Sequence, residues 1–76
     1  MAVTEAESDF IEERARELLV GWADHQVRFG SLETRPATLV DPYLTAAVGK
    51  GWLSVKGDHP KVLAKGFAAA AAYLRR

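Results

Sequence analysis

Residues 44–74 read LTAAVGKGWLSVKGDHPKVLAKGFAAAAAYL, and the order of their punctuation decides the fold. Leu44, Ala47 and Val48 recur at helical spacing and stop at Gly49 or Gly51, where glycine commonly closes a helix. Trp52-Leu53-Ser54-Val55 is strand-like, Lys56-Gly57-Asp58-His59-Pro60 is dense in turn residues, and Lys61-Val62-Leu63-Ala64 can return as a second strand. Beyond it, Phe67, Ala70, Ala71 and Leu74 share one helical face. The alanines at 68–72 are the strongest helix formers in the chain, because alanine loses no side-chain entropy on ordering. The stretch predicts a helix, a hairpin over about 52–64 and a final helix over about 65–76.

Upstream, Asp41-Pro42 pairs a capping residue with a proline suited to the first helical position. Pro36 is a second such start, and Pro36–Val40 has room for one helical turn or a short strand, between which periodicity does not choose. Two short helices are therefore expected within about 36–50. The first long helix is expected over about 4–29, opened by a Thr4/Glu7 capping box or by Ser8, with acidic residues in its first turns where the helix dipole favours them. Ile11, Ala15, Leu18, Leu19 and Trp22 form its apolar stripe, Phe10 lies at the edge, and Glu12, Glu13, Arg16 and Glu17 are expected on the other side. Gly21 inside this helix costs about 1 kcal/mol relative to alanine and suggests a close helix contact.

Length and composition bound the rest. Seventy-six residues make one domain, 1–76, with a thin core. The absence of cysteine removes disulfides, thiol nucleophiles and sulfur-ligated zinc. Nothing approaches the roughly 18 apolar residues of a membrane span, and the start lacks the features of a secretory signal, so a cytoplasmic protein is expected. Net charge is zero, yet residues 1–24 carry seven acidic and two basic side chains while residues 25–76 carry eight basic and three acidic. That division either presents a basic half to an anionic partner or is neutralised within the molecule.

The run Leu44-x-x-Ala47-Val48-x-x-Gly51-Trp52-Leu53, followed by a lysine-flanked turn and Val62-Leu63-Ala64-x-Gly66-Phe67, resembles the winged helix-turn-helix class. The resemblance covers roughly residues 36–76, with the preceding helix reduced to about Pro36–Val40. It implies a mainly α fold with a small β-hairpin, a winged-helix-like three-helix core, and a small bacterial or phage regulator. By the same resemblance, the helix near 42–50 would be a recognition helix and the hairpin a wing.

On that mapping the outward residues of the recognition helix are Tyr43, Thr45, Ala46 and Lys50, a set with no arginine or side-chain amide to fork onto a base edge. Tyr43 and Thr45 are the base-side candidates. Lys50, Lys56, Lys61 and Lys65 are the phosphate-contact candidates, giving affinity for double-stranded DNA with little sequence discrimination. The competing function is a protein-interaction adaptor or homodimer formed through apolar helix faces, with Phe10, Val27, Phe29 and residues 68–72 at the contact. Trp22 and Trp52 read as core anchors. His25 and His59 lack the partners of a metal or catalytic site, and Gly49-Lys50-Gly51 is not a phosphate loop. No enzyme activity, cofactor or metal is expected.

Overall fold

Apolar residues at every third or fourth position wind residues Glu5–Phe29 into one helix, α1, which ends as the Gly30 N–H donates to the Gln26 carbonyl at 2.7 Å. The fold is seen in a computed structural model that describes residues 5–32, 37–56 and 59–76. The expected cap Thr4 lies outside the described residues, and Ser8 sits inside α1, so it does not begin the helix. After α1 come α2 (Tyr43–Gly49), β1 (Leu53–Ser54), β2 (Lys61–Val62) and α3 (Ala64–Leu74). A mainly α chain with a small hairpin is what the sequence led us to expect.

The α2–β1 junction closes with two hydrogen bonds. Gly51 N–H donates to Val48 O at 3.1 Å and Trp52 N–H to Ala47 O at 3.0 Å, the paired pattern of a Schellman turn. That turn needs a left-handed residue, and Gly51 supplies it at φ +76°. The chain leaves directly into β1, which pairs antiparallel with β2 in the register Leu53↔Val62 and Ser54↔Lys61. Leu53 and Val62 are buried on the same side of the ribbon, while Lys61 on the other is exposed. Leu63 N–H donates to Trp52 O at 2.9 Å, and Leu63, at φ −93° and ψ 171°, is the last extended residue before α3. Ala64 therefore opens the helix instead of ending a strand. The expected turn residues Gly57 and Asp58 lie outside the described residues.

Two further expectations are corrected in the middle of the chain. Pro36 lies outside the described residues, and residues 37–42 form no helix, so the short helix expected before α2 is absent from that segment. Leu39 is buried and Thr38 accepts a hydrogen bond from Trp22 Nε1 at 2.9 Å, so the segment is held by side chains reaching α1. Asp41 does not cap α2. Pro42 occupies the N-cap position, and the Asp41 carboxylate instead accepts from the Thr45 hydroxyl.

The core gathers Ala15, Leu19, Trp22 and Ala23 of α1 with Leu32, Leu39, Ala47, Trp52, Leu53, Val62 and Ala70. Both tryptophans are buried, as expected of anchors. Because α1 is flanked by α2 on one side and α3 on the other, its packed arc is wider than one stripe. Glu12 and Arg16, expected on the outer side, lie at the edge of that arc. Arg16 stacks its guanidinium over the Trp52 ring, 5.3 Å from the centroid, covering the tryptophan while its charge stays near water.

One close approach fixes how α3 meets the ribbon. A Cβ on Gly66 would lie 2.2 Å from the Trp52 carbonyl oxygen and 2.8 Å from Val62 Cγ1. Only glycine lets the first turn of α3 rest on the Trp52 backbone and Val62.

Candidate nucleic-acid interface

The six residues singled out from the sequence divide into two groups. Tyr43 is half-buried and packs against the core, and the Thr45 hydroxyl is committed to Asp41, four residues earlier on the exposed side of α2. Ala46 also packs against the core. Of the expected outward face of α2, only Thr45 and Lys50 are directed at solvent, and Val48, which shares the helical spacing of Leu44 and Ala47, is exposed as well. This helix has seven residues and offers no free hydrogen-bonding fork for a base edge.

Lys50 is paired. Its Nζ lies 2.7 Å from Glu12 Oε1 across the α1–α2 contact, and this hydrogen bond, reinforced by the charges of Lys50 and Arg16, holds the Glu12 carboxyl below its ordinary value. The same happens at the next residue of α1, where the Arg76 guanidinium at the C-terminus bonds Glu13 and lowers its pKa while that of Arg76 rises. Arg14 pairs with Glu17 at 2.6 Å and Arg28 with Asp24 at 3.0 Å. Part of the charge division along the chain is thus neutralised internally, across α1–α2 and between α1 and the C-terminus.

Lys56, Lys61 and Lys65 are exposed, and among the described residues none has a carboxylate within ion-pair distance. Lys61 lies opposite Ser54 on the outer face of the ribbon, and Lys56 follows Ser54 by two residues with its N–H donated to Ser54 Oγ at 3.3 Å. Lys65 stands in the first turn of α3, a turn without an acidic residue or a side-chain cap. Its side chain runs along Gly51, so that a Cβ there would meet Lys65 Cδ at 3.4 Å and Nζ at 4.0 Å. The ribbon thus carries Lys56 and Lys61, while Lys65 lies against the α2–β1 turn beside Lys50.

The residue that fastens this region to the body was not foreseen. Gln26, near the end of α1, donates Nε2–H to Val62 O at 3.2 Å and accepts the Val62 N–H on Oε1 at 2.7 Å. Its amide thereby imitates a third strand at the outer edge of β2 and satisfies both polar groups that the two-stranded ribbon leaves open. The only sequence signal was an amide at the edge of the apolar stripe, which fits a solvated helix face equally well.

Elsewhere, a groove of about 510 Å³ between the first half of α1 and α2 is floored by Ile11, Pro42, Ala46 and Gly49 and rimmed by the Glu12–Lys50 pair. A second, of about 480 Å³, lies between α1 and α3. No group of three or more metal-ligating side chains occurs among the described residues. His25 carries its Nδ1 buried without a partner and its ring 4.7 Å from that of Phe29. Among the described residues no helix is long and apolar enough to cross a membrane.

No protein-family model, curated protein or solved structure matches this chain.

Proposed function

We propose that the chain is a non-catalytic domain that binds the phosphate backbone of double-stranded DNA through the ribbon and the start of α3. Lys56, Lys61 and Lys65 make the contacts. The observation that supports this reading is their exposure without carboxylate partners, while Glu12, Glu13, Glu17 and Asp24 of α1 are each occupied by another cation. The uncapped start of α3 adds the positive end of a helix dipole beside Lys65. Base reading by Tyr43 and Thr45 is not part of the proposal, since one is packed and the other bonded to Asp41. The setting this reading suits is the cytoplasm of a bacterial or phage-infected cell, with the domain serving as a small regulator.

Salt dependence tests it with a number. Each neutralised phosphate contributes about −0.9 to the slope of log K against log salt, so three lysines give about −2.7 and an affinity loss of about 40-fold between 50 and 200 mM. Fluorescence anisotropy on duplexes of mixed sequence should show that slope, with little preference among sequences. Lys56→Ala with Lys61→Ala should flatten it by about 1.8. Lys50→Ala should leave it nearly unchanged, because Glu12 already holds that ammonium. Absence of binding at low salt refutes the proposal.

The competing reading, a protein-interaction module, is favoured by a different observation: the apolar groove between α1 and α3.

A further inference from the structure

Lys50 differs from Lys56, Lys61 and Lys65 in that its charge is already answered, by Glu12 Oε1 at 2.7 Å. Its position nevertheless suits a phosphate contact. Gly51 follows Lys50 directly, and the Lys65 side chain runs over it, with Nζ 4.0 Å from where a Gly51 Cβ would stand. The Lys65 ammonium therefore lies within about 9 Å of the Lys50 Cα, close enough for the two side chains to meet neighbouring phosphates of one backbone. The Lys50 side chain is 45% exposed, so a duplex lying on Lys65 can reach it without any change of fold.

We propose that Glu12 is the affinity-limiting residue of the DNA site: its carboxylate occupies Lys50 as a phosphate would and keeps a fourth backbone contact out of use. The proposal rests on phosphate binding by Lys56, Lys61 and Lys65. An ammonium paired with a carboxylate neutralises no phosphate and so releases no counterion, and the same carboxylate repels a phosphate that approaches Lys50.

Two observations single out Glu12 among the acidic residues of α1. Glu13, Glu17 and Asp24 hold arginines of α1 itself or of the C-terminus, whereas Glu12 reaches across to a lysine at the end of α2, beside the free Lys65. Glu12 is also held from behind. Arg16 Nη2 stands 3.8 Å from Glu12 Oε2, the oxygen that Lys50 does not use, and Arg16 is itself laid over the Trp52 ring. The carboxylate is thus fixed between a guanidinium stacked on the core and the ammonium it covers, and the hydrogen bond to Lys50 keeps it ionised.

Glu12→Gln tests this, because it keeps the size of the side chain and removes the charge. Binding of the full chain to duplexes of mixed sequence, followed by fluorescence anisotropy, should change in slope from about −2.7 to about −3.6. A contact that contributes nothing at about 1 M salt then strengthens binding about 15-fold at about 50 mM and about 4-fold at about 200 mM. Glu12→Ala should give the same slope, and circular dichroism reports whether each variant is folded. Adding Lys50→Ala to Glu12→Gln should return slope and affinity to those of the parent. Glu17→Gln removes an equal charge from a carboxylate that holds Arg14, and should leave the slope within about 0.2 of the parent. A parent that binds with a slope of about −2.7 while folded Glu12→Gln and Glu12→Ala match it overturns the proposal and leaves the three-lysine site standing. A gain that survives Lys50→Ala, or that Glu17→Gln reproduces, also overturns it, since net charge and not Lys50 would then be the cause. If neither the parent nor Glu12→Gln binds DNA at low salt, the three-lysine site fails and the role of Glu12 with it.

Discussion

Replacing Gly66 with alanine sets two known effects against each other. In the interior of a helix, alanine is favoured over glycine by about 1 kcal/mol. At this position the new methyl carbon would sit 2.2 Å from Trp52 O, 2.8 Å from Val62 Cγ1 and 3.0 Å from the Trp52 carbonyl carbon. Two of those three atoms are backbone and cannot swing aside as a side chain can. The Trp52 oxygen also accepts the Leu63 N–H, so moving it strains the hydrogen bond that joins the ribbon to α3. Overpacking a well-filled site costs about 1–3 kcal/mol and this site belongs at or above the upper end, so the net loss should be about 2–3 kcal/mol. For a domain of this size each kcal/mol moves the melting temperature by about 4–8 °C, which predicts a fall of about 10–20 °C. Thermal melts followed by circular dichroism, with urea unfolding as a check, read it directly. Gly21→Ala is the matched control, since its Cβ meets nothing within 4 Å. It should gain about 0.5–1 kcal/mol. If Gly66→Ala melts at or above the parent, or if both alanines shift stability in the same direction, the packing of α3 on Trp52 and Val62 described above is wrong.

The remaining predictions concern the Gln26 clamp and pH. Gln26→Leu leaves both polar groups of Val62 without a protein partner and should cost about 2 kcal/mol, with faster hydrogen exchange at the Val62 amide. Gln26→Glu keeps the acceptor and loses the donor, so its cost should differ from that of the leucine variant. An equal melting temperature for all three chains would show that the clamp carries no stability. For pH, Glu12 and Glu13 have folded pKa values lowered by Lys50 and Arg76. A lowered carboxylate contributes stability that is fully present above its unfolded pKa and is lost as pH falls through the folded one. Denaturant unfolding should therefore be insensitive to these two groups above about pH 5.5 and should weaken progressively below about pH 4.5, with a shallower decline in Glu12→Gln with Glu13→Gln.

Much of the fold was legible because its signals are local. The glycine that ends α2, the paired strands around Lys56–Lys61 and the alanine-rich last helix each follow from the conformational preferences of a few adjacent residues. The readings that failed were those in which a tertiary contact replaced a local preference. Asp41 has the chemistry of an N-cap, but its carboxylate bonds the Thr45 hydroxyl instead. Thr38 and Leu39 could begin a helix by themselves, yet Trp22 and the core claim both side chains.

What the amino-acid sequence determined alone was the succession of elements, the anchoring tryptophans and the placement of lysines about the hairpin. Which of those lysines remain free was decided only when α1 was laid between α2 and α3, bringing Glu12 to Lys50 and leaving Lys56, Lys61 and Lys65 unmatched. The same packing made Gly66 indispensable and Gly21 vacant, and brought the Gln26 amide to the edge of β2. The physical reason is range. Helix periods, turns and caps are set by neighbours along the chain, whereas an ion pair, a steric limit or a borrowed strand edge depends on where distant elements cross.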